Sequence, residues 1–134
     1  MSRNSPLAVF IADDSAPVAE MLKELLTDPG RIEVTGVADC EADAIAEIHR
    51  LRPDVVVLDL QLRIGSGTDV IRAVRASKDL AQVQLIVISN HTSPHLKAGC
   101  LDLGANGYFD KVKELGALTA ELARLADAKA GKAS

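Results

Sequence analysis

The stretch VVVLDLQL, residues 55–62, is a run of apolar residues broken by a single carboxylate, Asp59. Apolar residues in succession, without polar alternation, read as a strand covered on both faces, as at the centre of a parallel sheet. An unpaired carboxylate in such a setting costs several kcal/mol or takes up a proton. Asp59 therefore needs compensation, and the fold has to bring it from elsewhere in the chain.

Outward from this stretch, similar runs recur. LAVFIA (7–12), IEVTGVA (32–38), DVVVLDL (54–60), QLIVIS (84–89) and NGYF (106–109) read as five strands. Helical stripes separate them. Val18, Leu22, Leu25 and Leu26 lie on one face until DPG (28–30) stops the helix, and Ile45, Ile48 and Leu51 form a second stripe closed by Pro53. The glycine-rich loop RIGSG (63–67) leads to Val70, Ile71 and Val74. Leu96, Cys100 and Leu103 follow an entry containing Pro94, and Leu115, Leu118, Leu122 and Leu125 make the last helix. Five strand–helix repeats imply an α/β fold, a five-stranded parallel sheet doubly wound by right-handed crossovers. Such folds gather their sites at the carboxyl ends of the strands, where the strand order reverses.

Composition narrows the function. The chain has 134 residues, 48% hydrophobic and 25% charged, with a formal net charge of −4, which places it among globular domains. It has no run of Lys or Arg, no Trp, one Tyr and two Phe, so neither a basic footprint nor a base-stacking platform for nucleic acid is expected. Cys40 and Cys100 stand without a C-x-x-C or a framework of spacings and read as small buried hydrophobes in a reducing compartment. No stretch approaches the roughly 18 apolar residues of a membrane span, and a cytoplasmic location is expected. The organisation expected is an N-terminal extension over 1–6, one domain over 7–126, and a short flexible tail over 127–134, where the Ala, Lys and Gly content of ADAKAGKAS suggests a frayed helix end.

Polar residues gather where the fold predicts a site. Strand one ends in Asp13 and Asp14, strand three in Asp59, strand four in Ser89 and Asn90, and strand five is followed by Asp110 and Lys111. If strands one and three are neighbours, three carboxylates meet in a small volume and need positive charge. Mg²⁺, or Mn²⁺ in its place, prefers oxygen ligands and suits a shallow carboxylate cluster; Lys111 supplies a second cation. A carboxylate beside a divalent cation, a lysine and a hydroxyl is equipped to attack phosphorus, giving an aspartyl phosphate.

In these residues, in order and spacing from about Leu7 to Leu125, the sequence resembles the receiver domain of two-component response regulators, as in stand-alone chemotaxis-type receivers. The resemblance implies a flavodoxin-like (βα)5 sheet with strand order 2-1-3-4-5. It implies Asp59 as phosphoacceptor, with metal held by Asp13, Asp14, Asp59 and the backbone carbonyl of Gln61. Ser89 is then the switching hydroxyl, with Asn90 beside it, Lys111 the phosphoryl-binding lysine, and Tyr108 the aromatic that reorients. Gln61 and His91 stand where side chains modulate dephosphorylation, and Gly67, eight residues after Asp59, falls where the family has a glycine. The implied partners are a histidine kinase or phosphotransfer protein, and a downstream protein at the face formed by helix four, strand five and helix five. The implied assembly is a monomer or weak homodimer.

The pattern is broken at three positions: Arg63 and Val112 replace prolines, and Asn90 replaces a small Ala or Gly. A non-proline cis bond costs roughly 2.5–4 kcal/mol, so the Lys111–Val112 bond is expected to be trans, with Lys111 still turned toward the acids. Plainer roles stay open for single residues: Asp14 or Ser15 as a helix cap, Tyr108 as packing. His91 and His95 have a metal-ligand spacing but no third ligand, and GSG at 65–67 is too short for a nucleotide fingerprint. An enzyme that turns an aspartate nucleophile on external substrates would want an acid/base carboxylate two residues beyond Asp59, where Gln61 stands. The remaining rivals are a degenerate receiver that binds partners without phosphorylation, and a fragment of a larger DNA-binding regulator.

Overall fold

The computed structural model describes residues 5–90 and 93–133. Five parallel strands, β1 (Leu7–Ala12), β2 (Ile32–Ala38), β3 (Val55–Asp59), β4 (Gln84–Ser89) and β5 (Gly107–Asp110), alternate with helices α1 (Ala16–Leu26), α2 (Glu41–Leu51), α3 (Gly67–Arg75), α4 (Pro94–Leu103) and α5 (Leu115–Ala133). One 3-10 turn, Lys78–Leu80, precedes β4. The sheet order is β2-β1-β3-β4-β5, the doubly wound order with β3 at the centre.

The pleat sorts the apolar residues into two layers. Phe10, Ile48, Leu58, Ile71 and Leu85 pack with α2, α3 and α4 on one face, and Ile11, Leu22, Val57, Ile88, Leu118 and Leu122 pack with α1 and α5 on the other. Val55 to Leu58 are fully buried, and such side chains contribute roughly 1.5–3 kcal/mol each. The same period of two aims the polar ends. Val9 and Ile11 share a parity with Asp13, Val55 and Val57 with Asp59, and Phe109 with Lys111, so all three charged residues rise above the α1/α5 layer. Ser89 shares the parity of Leu85 and Val87, which face the other layer.

Helix starts follow their sequence signals. Ser15, Ser66 and Ser93 are the N-caps of α1, α3 and α4, and their hydroxyls accept the N–H groups of Val18, Asp69 and Leu96. This settles the capping role on Ser15 rather than Asp14. Helix α2 is C-capped by Arg52, which adopts the left-handed conformation at φ 48° just before Pro53.

The segment 127–134, expected as a short flexible tail with the content of a frayed helix end, continues α5 through Ala133. Alanine is the best helix former, and two side chains fasten this extension to the body. Lys129 Nζ lies 2.7 Å from Asp54 Oδ2 and donates to Pro6 O at 2.9 Å; Asp127 pairs with Arg31. No described helix is long and apolar enough to cross a membrane.

Gly67 opens α3 directly under the end of β3. A Cβ there would stand 2.5 Å from the carbonyl oxygen of Asp59 and 2.8 Å from Leu60 Cα, and backbone cannot yield as a side-chain tip can. Gly67→Ala should therefore lower the unfolding free energy by about 1–3 kcal/mol, measured by urea denaturation, and shift the amide resonances of residues 59–61. A variant as stable as the wild type would show that the contact relaxes freely.

Candidate functional site

The carboxyl ends of β1, β3 and β5 meet around one ammonium group. Lys111 Nζ lies 2.8 Å from Asp13 Oδ2 and 2.8 Å from Asp59 Oδ2, and all three residues are buried. Asp59 Oδ1 accepts the Gln61 N–H at 3.1 Å, and Asp13 Oδ1 accepts the Ser15 N–H at 2.8 Å. Asp14, exposed, completes a cluster in which Asp13, Asp14 and Asp59 each offer an oxygen within 4.8 Å of the others. The Lys111–Val112 bond is trans, as are all described peptide bonds, and four methylenes suffice to bring the ammonium into the cluster.

The charges do not balance. Three carboxylates face one ammonium, which leaves an excess equal to the charge of one divalent cation. Asp13 Oδ2 makes an ion pair with Lys111 but has no aligned hydrogen-bond donor, although it is buried. An oxygen-only donor set with a buried, under-satisfied oxygen fits a hard divalent cation.

Burial pushes the Asp59 carboxyl above its usual range, against the Lys111 hydrogen bond and the Gln61 N–H, and Asp13 adds repulsion. For Lys111, burial acts to lower the ammonium, but its pairing with the carboxylates of Asp13 and Asp59 outweighs it and holds the group above its usual value. The asymmetry has a simple cause: Lys111 has two anions, whereas Asp59 must share its one cation.

A cleft of about 250 Å³ opens beside this cluster, lined by Asp59, Gln61, Thr68, Ser89, Asn90 and Leu96. Ser89 is buried at the end of β4, and Asn90 is exposed at the rim. Tyr108 is buried in the layer of α2, α3 and α4 and also borders a groove with Pro94, Lys97 and Glu114. The Gln61 side chain is exposed, and His91 lies outside the described residues. Asp110, one residue from Lys111, takes no part in the cluster. Its parity turns it away, and Oδ1 accepts the N–H groups of Val112 and Lys113, which hold its carboxyl below the usual range.

Sequence reasoning missed two features. Thr68 lines the cleft with its hydroxyl 2.9 Å from Ser66 Oγ; the only signal was a threonine following GSG, read as a turn. Arg63 was visible only as a missing proline, but its guanidinium forks onto Asp39, Nε to Oδ2 at 3.0 Å and Nη2 to Oδ1 at 3.3 Å. Asp39, Cys40 and Asp43 also bring ligand atoms within 4.8 Å of one another, but Arg63 occupies both Asp39 oxygens.

A doubly wound parallel sheet, with an acid pair, a central acid, a hydroxyl and a lysine at its carboxyl edge, defines a receiver-type domain. The chain belongs to the response regulator receiver domain family, whose model matches residues 9–123. It is similar to protein-glutamate methylesterase/protein-glutamine glutaminase 2 of Koribacter versatilis, 35% identical over 121 residues, covering 89% of this chain and 32% of that protein. It is also similar to the DNA-binding transcriptional activator DevR/DosR of Mycobacterium tuberculosis, 32% identical over 125 residues, covering 92% and 55%. The chain thus spans a third to about half the length of these relatives. Among solved structures, the signal receiver domain of NarL from Mycobacterium tuberculosis superposes with a TM-score of 0.82 at 28% identity, covering 92% of this chain and 98% of that one.

The raised Asp59 carboxyl ties stability to pH. The folded state keeps this proton to higher pH than the unfolded chain, so the contribution is complete below the ordinary carboxylate value near about 4 and is lost as pH rises through the raised value. Without metal, wild-type stability relative to Asp59→Asn should fall as pH goes from about 4 to neutrality, measured by urea denaturation. A difference that is flat or grows with pH would contradict the shift.

Proposed function

We propose that the chain is a phosphorylatable receiver that takes a phosphoryl group on Asp59 from a histidine kinase or phosphotransfer protein. The observation that carries this reading is the Lys111 ammonium at 2.8 Å from both Asp13 and Asp59 at the carboxyl edge of the sheet. An Asp59 oxygen attacks the phosphorus of a phosphohistidine; the O–P bond forms, the P–N bond breaks, and the imidazole leaves with its electron pair and a proton from solvent. Asp13, Asp14, Asp59 and the Gln61 backbone carbonyl would hold Mg²⁺ or Mn²⁺, which supplies charge stabilisation for the phosphoryl oxygens in flight.

The protein's own groups do the rest. Lys111 opposes the protonation that burial favours at Asp59 and then binds a phosphoryl oxygen, while Ser89 in the adjoining cleft donates its hydroxyl to another. Asn90 and Gln61, which line the cleft, would govern access of water to the acyl phosphate, whose hydrolysis returns Asp59 and inorganic phosphate, and the sequence resemblance adds His91 as a candidate modulator. Incubation with a small phosphodonor and Mg²⁺ should add the mass of one phosphoryl group to the intact protein, and Asp59→Asn should abolish it. Equal labelling of that variant would overturn the assignment of the acceptor.

The output reading rests on Ser89. A hydroxyl drawn toward the phosphoryl group pulls the start of the β4–α4 loop inward and biases the face of α4, β5 and α5, where Tyr108 borders a groove of about 310 Å³. A downstream protein reads that face. Amide chemical-shift changes on phosphorylation should extend from residue 89 to residue 115, Tyr108 included. Changes limited to the loops bearing Asp13 and Asp59 would rule out transmission to that face.

A further inference from the structure

The loop between β3 and α3 is bolted to the start of α2. Arg63 makes its fork onto the Asp39 carboxylate, and its own N–H donates to Asp39 O at 2.8 Å. The Glu41 N–H donates to Ile64 O at 2.9 Å, and the Ser66 N–H to Glu41 Oε1 at 3.0 Å. Gly65, at φ +91°, allows this approach, because a Cβ there would overlap the Glu41 side chain.

These contacts close a ring around the acidic cluster. The Asp13 N–H donates to Ala38 O at 3.0 Å, and Asp39 follows Ala38 in the chain. Arg63 carries the ring from Asp39 to the loop, and Gln61, two residues back, donates its N–H to Asp59 Oδ1. Lys111 joins Asp59 to Asp13. We propose that Arg63 is a positioning residue, which through Asp39 fixes the span between Asp13 and the Gln61 backbone and so presets the loop for the divalent cation. The inference rests on the metal-dependent receiver reading above. A proline would restrain the same loop through φ, but it has no N–H for Asp39 O; arginine holds it by a planar fork, whose bidentate geometry fixes direction. The side chains of Arg63 and Asp39 are 54% and 47% exposed, so the pair adds little to global stability.

Charge makes the test decisive. By Coulomb attraction alone, removing a cation beside an acidic site should tighten Mg²⁺ binding, whereas a positioning role requires it to weaken. In the full chain, titrated with Mg²⁺ and followed by amide NMR, Arg63→Gln should weaken binding about tenfold with little change in thermal midpoint. Without metal, it should speed hydrogen exchange of the residue 63 and 66 amides. The reversed pair, Asp39→Arg with Arg63→Asp, should recover most of the affinity. Unchanged or tighter Mg²⁺ binding in Arg63→Gln, or unchanged exchange at those amides, overturns the proposal. Absence of any Mg²⁺ response around Asp13, Asp14 and Asp59 in the wild type would instead overturn the reading beneath it, and the metal-free exchange rates would still decide whether the fork fixes the loop.

Discussion

The ammonium of Lys111 is shared by two buried carboxylates, and the upper edge of the sheet is arranged around that sharing. Burying Asp13 and Asp59 without it would leave two charges in a low-dielectric pocket, where losing one partner of a buried pair costs about 3–5 kcal/mol. Lys111 arrives from β5, two strands away from β3, and this is possible because the strand pleat gives it the parity of Asp59 and Asp13. A shift of one residue in β5 would present Asp110 to the cluster and turn Lys111 away. The pairing of Ser89 with Asp110 and of Ile88 with Phe109 is thus a condition of the chemistry as well as of the fold.

Much of this was legible in the sequence. VVVLD could only be a doubly covered strand, and an acid at its end demanded cations; the strand-end rule said where to look, and Lys111 was there to be found. The strand–helix alternation determined the architecture for the same reason, because each apolar period matched one element. What stayed hidden depends on contacts remote in sequence. Nothing near Arg63 announces Asp39 as its partner, 24 residues earlier. The Ala, Lys and Gly content of the tail pointed to a helix end, but its anchors stayed hidden: the helix is held by Asp54 and Arg31, 75 and 96 residues from Lys129 and Asp127. Asp110 is the reverse case: it adjoins Lys111 in sequence, and parity keeps it out of the cluster.

The site is also the place where local rules are broken. Elsewhere among the described residues, buried polar side chains have partners and apolar residues fill their layers; here a buried oxygen of Asp13 lacks an aligned donor and burial works against the charge of Asp59. Such conflict is what functional sites retain when the surrounding structure is strong enough to impose it. The imposing elements are nearby and specific: four buried apolar residues in β3, Gly67 pressed beneath the Asp59 carbonyl, and the Ser15 cap that orients the Asp13 loop.

The grip of α5 on the lower end of β3 has a mechanical consequence. Asp54 is tied at three points: its carboxylate takes the Ala8 N–H and Lys129, its N–H donates to Ala8 O, and its carbonyl accepts the Gln84 N–H. The strand that carries Asp59 is therefore clamped at its root like a cantilever, with neighbouring strands bonded along both sides. It has no freedom to slide as a piston. Displacement introduced at its tip must be taken up by the loops that crown it, so strain at Asp59 travels sideways across the rim of the sheet rather than down its length.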